Sequence, residues 1–329
     1  MSSLSNFIIP LCILTLVSRN LGVNILKGLE KTQENGPCPD ASVILPCICT
    51  HNNDDNSTDI DCSGVTSENE LKKIFNSTLP TKNFGKFIIM YNKHLKVLES
   101  GVFNGITFEE FFISNNEIEK VENGAFNDSF ATAYMMVLLG NKIQHFPFST
   151  LHKFANLTYL NLNFNPLGSI PSDGFQGITT LKMVSIMGAV KKIAVGTFKN
   201  LTNVEKIYAA ENSLRKVPSG LFVTGSDRII YTIINNNNIS SVEPNAFDPV
   251  EGLVINMDQN SMLLIAEDVW KNLLEAGVTL YLGKNPLKCG CDIAWLVRNA
   301  TLLSQISDNT QCSNGKNIHD LDPHDYIHC

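Results

Sequence analysis

The 226 positions between Cys62 and Cys289 hold no cysteine, and no run of Lys and Arg exceeds two residues, as at Lys72-Lys73 and Lys191-Lys192. With 25 Lys plus Arg against 32 Asp plus Glu, the net charge of -7 excludes a basic nucleic-acid reader. The longest apolar run, Phe7 to Val17, falls well short of the roughly 20 residues that a bilayer-spanning helix needs. Nor is there a G-x-S-x-G elbow, a phosphate loop, a G-x-G-x-x-G turn or an H-E-x-x-H helix, so the common catalytic arrangements are missing. Charged residues make up only 17% of the chain and hydrophobic ones 43%, which excludes disorder; 329 residues suffice for a large core in one or two domains.

What is present begins with a compartment signal. Residues 7–17 have the length of a signal-peptide core, and the small or polar residues Ser18 to Gly22 suit a cleavage site, although no Lys or Arg precedes the run. Residues 1–20 are expected to be a signal peptide and 21–37 a linker, giving a secreted, extracellular, soluble product. Loss of Cys12 with the signal leaves eight cysteines, an even number that suits disulfides in an oxidising compartment. Four lie at Cys38, Cys47, Cys49 and Cys62 and four at Cys289, Cys291, Cys312 and Cys329. Both close pairs are C-x-C, whereas zinc sites space paired thiolates by two residues, so no metal is expected there. Asn-x-Ser/Thr sequons at Asn56, Asn76, Asn127, Asn156, Asn200, Asn238 and Asn299 are candidate glycosylation sites, in a number close to the about five that chance gives in an Asn-rich chain.

Between the cysteine clusters the chain repeats. Segments reading apolar-x-x-apolar-x-apolar-x-x-Asn place Asn at 92, 116, 141, 165, 212, 237, 260 and 285, with Ala189 in the one missing place, so every step is 23 to 25 residues. Apolar pairs keep the register, among them Phe111 and Ile113, Leu160 and Leu162, and Leu280 and Leu282, each alternating as a short strand requires. A second apolar set follows each Asn, closing with Phe103, Phe126, Phe175, Phe198, Phe222, Phe247 or Trp270. This resembles the leucine-rich repeat in its longer extracellular form. The implied fold class is an α/β repeat solenoid: a leucine-rich repeat horseshoe with a concave parallel β-sheet and disulfide-bonded N- and C-terminal caps. A coil cannot bury its apolar side alone, so coils stack, and the two apolar ends need caps. The ladder Asn, with amide donors and a carbonyl acceptor, is expected to satisfy backbone groups where each strand turns away. The expected divisions are a cap over 38–83, repeats over 84–288 and a cap over 289–329. The resemblance implies Cys38 with Cys49, Cys47 with Cys62, Cys289 with Cys312 and Cys291 with Cys329, whereas sequence alone allows other pairings.

No cofactor is implied. His319, Asp320, Asp322, His324, Asp325 and His328 have metal-ligand chemistry, but a polar cap loop accounts for them; Asp54, Asp55, Asp59 and Asp61 lack calcium-loop spacing and read as a solvated hairpin. The candidate function lies at the outward strand positions. Phe112, Tyr134, Met135, Val137, Leu139, Tyr159, Phe164, Met183, Met187, Tyr208, Tyr231 and Ile233, with Tyr281, fall there and predict an apolar partner-binding patch centred on Tyr134 to Leu139, Tyr159, Met183 to Met187 and Tyr208. A register slip of one residue would send them into the core instead.

The N-terminal segment is more particular than a generic repeat cap. Cys38-Pro39, Ile44-Leu45-Pro46-Cys47-Ile48-Cys49-Thr50, Ile60-Asp61-Cys62-Ser63 with Val65, and Ser67-Glu68-Asn69-Glu70-Leu71 leading to Phe75 resemble the opening of the leucine-rich, non-catalytic subunits of the secreted shrimp luciferase. The resemblance spans roughly residues 38 to 329. It implies a chain without catalytic groups that serves as scaffold or stabiliser for a protein partner, such as a small secreted catalytic subunit. Two alternatives stand beside it: an extracellular-matrix structural protein, which would be insoluble or collagen-associated, and a recognition module binding microbial or neural surface ligands reversibly.

Overall fold

The computed structural model describes residues 37–54 and 56–329; the expected signal peptide and most of the expected linker lie outside them. Residues 39–329 form one compact unit. Its frame is an eleven-stranded sheet in strict chain order: β1 (Ile48–Asn52), β2 (Ser57–Asp61), β3 (Asn83–Met90), β4 (Thr107–Ser114), β5 (Met135–Val137), β6 (Tyr159–Asn161), β7 (Met183–Ser185), β8 (Lys206–Tyr208), β9 (Tyr231–Ile233), β10 (Val254–Asn256) and β11 (Thr279–Tyr281). The β1–β2 hairpin is antiparallel and every later pairing is parallel. No helix among the described residues is long and apolar enough to cross a membrane.

The alternation in the sequence sets which face is buried. Phe111 and Ile113, Leu160 and Leu162, Val184 and Ile186, and Leu280 and Leu282 are each 0% exposed. Behind the sheet, rings stack from coil to coil. Phe175, Phe198, Phe222, Phe247 and Trp270 follow one another at centroid distances of 5.8, 5.6, 5.4 and 6.0 Å with interplanar angles of 16, 12, 6 and 29°. Offset stacking of this kind adds about 0.5–1.5 kcal/mol per pair beyond area burial. Nearer the N-terminus the rings meet edge to face instead, as in Phe87 against Phe103 at 4.8 Å and 79°.

The ladder asparagines are 1–7% exposed and join consecutive coils. Asn165 donates from Nδ2 to the carbonyls of Leu138 (2.8 Å), Leu162 (3.0 Å) and Asn163 (3.2 Å), and its Oδ1 accepts the Ile143 N–H at 3.1 Å. Asn212, Asn237, Asn260 and Asn285 repeat this pattern. The residue before each ladder position, Tyr91, Asn115, Gly140, Phe164, Gly188, Glu211, Asn236, Gln259 and Lys284, has a left-handed φ of 53 to 100°. That turn swings the chain out of the sheet and leaves strand-end carbonyls for the Asn amide to receive. Where Ala189 breaks the ladder, Val190 N–H is still accepted by Asn212 Oδ1 (2.8 Å), Met187 N–H goes to Asn163 Oδ1 (2.7 Å), and the strand Val190–Ile193 slips register between Val190 and Lys192.

Both ends are closed by built caps. The helix Glu68–Phe75 starts in a capping box, in which Ser67 Oγ accepts the Glu70 N–H (3.2 Å) and the Glu70 carboxylate accepts the Thr66 N–H (2.6 Å), and it buries Leu71, Ile74 and Phe75. Cys47 is bonded to Cys62, Cys289 to Cys312 and Cys291 to Cys329, and Cys38 and Cys49 are disulfide-bonded as well. At the other end Trp295 Nε1 donates to the Ile265 carbonyl (3.1 Å), tying the C-terminal helical segments to the coil before.

One coil breaks the core pattern: Thr232 is 0% exposed and its hydroxyl has no hydrogen-bond partner. Thr232→Val keeps the shape and removes an unpaired buried hydroxyl, so it is expected to stabilise the fold by about 1 kcal/mol. Asn165→Ala removes the acceptor of the buried Ile143 N–H and the donor to the Leu162 carbonyl, while Leu138 O keeps its bond from Asn141 Nδ2, and is expected to destabilise by about 3 kcal/mol. Urea unfolding midpoints of the two variants against the parent measure both, with shifts of opposite sign.

A candidate partner-binding face on the sheet

Strand pairing sorts the outward side chains into columns running across the coils. One column is Lys86, Glu110, Met135, Tyr159, Met183, Lys206, Tyr231, Val254 and Thr279, and the next is Ile88, Phe112, Val137, Asn161, Ser185, Tyr208, Ile233, Asn256 and Tyr281. Phe112, Met135, Tyr159, Met183, Tyr208, Tyr231 and Ile233 are half-buried on this outward face, and Leu139 and Met187 continue it beyond the strand ends. The columns also contain Ile88 and Val254, outward strand positions of the same repeat that the expected patch left out.

Three residues sit differently from expectation. Val137 is only 2% exposed, although its register partners across the sheet are Phe112 and Asn161 at the same outward height. Tyr134 precedes β5, is 37% exposed, and donates its hydroxyl to Glu110 at 2.5 Å. Phe164 belongs to the left-handed turn after β6, and its ring covers Gly188 so closely that a Cβ there would lie 2.3 Å from Cδ1. The patch is also divided by a polar centre: Asn163 Oδ1 accepts Ser185 Oγ (2.8 Å), and Asn161 Oδ1 accepts the Asn163 N–H (3.0 Å). The sequence does not single them out, because Asn161 and Asn163 stand four and two residues before the ladder Asn165 in an Asn-rich stretch.

The tyrosines form one electrostatic group. Burial pushes the Tyr208 phenol above its ordinary value, and neighbouring Tyr159 and Tyr231 push it further; burial likewise raises Tyr159 against a hydrogen bond from Asn161. Burial also raises Asp258, whose carboxylate accepts the Gly283 N–H (2.6 Å) and Asn309 Nδ2 (3.0 Å), and whose charge helps raise Tyr281. Lys206 Nζ lies 5.8 Å from the Tyr231 ring centroid, within cation–π range. A face rich in Tyr and Met is the composition that protein interfaces favour, and nothing in it resembles an acid, base or nucleophile constellation.

All seven sequon asparagines, Asn56, Asn76, Asn127, Asn156, Asn200, Asn238 and Asn299, are exposed, and none lies on the outward sheet positions. Among the described residues no three His, Cys, Asp or Glu side chains converge as metal ligands. His324 Nδ1 pairs with Asp322 at 2.8 Å and His319 Nε2 with the Ile306 carbonyl at 3.1 Å, both within the C-terminal cap.

Stacked coils, an Asn ladder and disulfide caps define a leucine-rich repeat protein. The family model of the BspA type leucine rich repeat region matches residues 132–254 in six copies. A chain from the TLR13-ssRNA13 complex superposes with a TM-score of 0.59 at 21% identity, covering 68% of this chain and 31% of that one. A chain from the octameric complex of Latrophilin 3, Unc5D and FLRT2 superposes with a TM-score of 0.58 at 16% identity, covering 87% and 98%. At that identity both establish the fold alone. The Oplophorus-luciferin 2-monooxygenase non-catalytic subunit of Oplophorus gracilirostris is 30% identical over 321 residues, 90% of this chain and 89% of that protein. The chain belongs to that family.

The raised phenols give a direct check. The folded state holds these protons more tightly than the unfolded chain does, so the stability they contribute is complete below the ordinary phenol pKa of about 10 and falls as pH rises through it. Ultraviolet titration is expected to show a late-ionising set of tyrosines that Tyr208→Phe reduces, with alkaline unfolding shifted upward in the same variant.

Proposed function

We propose that this chain is a secreted, non-catalytic binding or scaffold protein that holds a protein partner on the concave sheet face. The observation that carries the reading is the continuity of Met135, Tyr159 and Met183 across three paired strands, with Phe112 and Tyr208 in the neighbouring column. Monomeric proteins seldom leave so much contiguous apolar side chain outward without a use. The absence of sequons from the face supports the same reading, since a glycan there would block docking, while the disulfides support an oxidising destination. Asn163 and Ser185, 6% and 5% exposed and bonded to each other, brace the face between its apolar flanks from within the fold.

The name of the Oplophorus relative, a non-catalytic subunit, implies a catalytic partner for that protein. For this chain a small catalytic subunit is therefore the first partner to test. Native material purified from its source without reductant is expected to carry a stoichiometric second chain. Tagged protein bearing Met135→Glu and Met183→Glu is expected to capture that chain at least tenfold more weakly with an unchanged melting temperature. Undiminished capture by the double variant places the contact elsewhere.

A further inference from the structure

A second surface, away from the sheet face, has a charge pattern that the partner-binding reading does not use. On the flank that follows the ladder position, the early coils balance their charges: Lys96 and Lys142 both pair with Glu117, and Lys120 pairs with Glu122 at 3.1 Å. Two later coils do not. Lys191 and Lys192 follow Ala189, Arg215 and Lys216 follow Asn212, all four are exposed, and none joins an ion pair among the described residues.

The fold brings the four together. The two coils are direct neighbours, joined by Val190 N–H to Asn212 Oδ1 (2.8 Å) and by Ser213 N–H to the Val190 carbonyl (3.3 Å). The register slip between Val190 and Lys192 lets both lysines face outward while Val190 and Ile193 stay in the core. On either side the cluster ends in uncharged residues, since Lys192 pairs in register with Ser169 and Lys216 with Ser241. Of the carboxylates in these and the next coil, Glu243 accepts the Ser219 N–H at 3.0 Å and Glu211 immediately precedes the ladder Asn212, and neither joins an ion pair among the described residues. The two basic segments belong to separate two-stranded ladders, but the backbone bond from Ser213 N–H to the Val190 carbonyl holds the two coils side by side immediately before them, so the cations lie within about one Debye length, roughly 8 Å at physiological salt, and their potentials add.

We propose that Lys191, Lys192, Arg215 and Lys216 form a binding site for a sulfated polysaccharide. Four uncompensated cations on a chain of net charge -7 are a local reversal of sign. A linear polyanion is the ligand that uses several spaced charges at once, with counterion release as the driving term. Nucleic acid is the less fitting polyanion, because no exposed aromatic residue accompanies the four cations on these strands to stack a base.

The test is titration of the intact protein with a fluorescent heparin octasaccharide across a salt series. The parent is expected to bind with an affinity that falls as salt rises. The variant carrying Lys191→Ser, Lys192→Ser, Arg215→Ser and Lys216→Ser, which copies the residue that flanking coils have, is expected to bind at least tenfold more weakly. Lys96→Ser with Lys142→Ser is expected to change nothing, and Lys192→Arg with Lys216→Arg to keep parental affinity, which separates charge from misfolding. Full affinity in the four-site variant overturns the proposal. So does equal affinity for desulfated heparin, or for a single-stranded oligonucleotide of matching charge.

Discussion

The hydrogen bonds of the ladder asparagine are the constraint on which the rest of this structure depends. At each coil the backbone must leave the sheet, and a strand that leaves buries carbonyls and amides with no strand partner. One side chain with both donors and an acceptor serves the end of its own strand and the preceding coil together, as Asn165 does for Leu162, Leu138 and Ile143. The left-handed residue before it, Phe164 here, makes the departure sharp. The junction supports the one-to-one register that lines up Met135, Tyr159 and Met183, and at Ala189 the neighbouring Asn163 and Asn212 take over part of its work.

Burial behind the sheet then follows from the repeat length. From Phe175 onward each return segment delivers one ring to the same height in the coil, so Phe175, Phe198, Phe222, Phe247 and Trp270 stack in order. The N-terminal rings come from the cap helix as well as from the coils, so Phe75 meets Phe103 edge-on at 70° rather than in the stack. Disulfides are confined to the two caps because only there does the stack lack a neighbouring coil to cover it.

Much of this was legible in the sequence for a physical reason. A period of 23 to 25 residues marked by buried Asn, and alternation inside each period, are direct consequences of strand geometry and of the need to satisfy buried polar groups, so core residues such as Leu160 and Leu162 could be read off. What depends on neighbouring coils could not. Val137 has an outward position, yet it is only 2% exposed between Phe112 and Asn161 in the adjoining strands, a burial that alternation within its own strand does not reveal. Phe164 looked like a strand residue because its aromatic character hides a turn, and Asn163 looked incidental until Ser185 and Met187 were brought beside it. Likewise Lys191-Lys192 is an ordinary pair in the sequence, and only stacking adds Arg215 and Lys216.

The solenoid has two distinct surfaces, an aromatic and methionine-rich sheet face and a basic flank, and its seven sequon asparagines lie off the sheet face. Oxidative footprinting of methionine tests most directly whether a partner sits on the sheet face. Met135, Met183 and Met187 are half-buried on that face, whereas Met136 and Met257 are 0% exposed and serve as internal references. Native assembly purified from its source should show Met135 and Met183 protected relative to the isolated chain, with Met136 and Met257 unreactive in both. Equal oxidation of Met135 and Met183 in the two samples would contradict a partner seated on the sheet face.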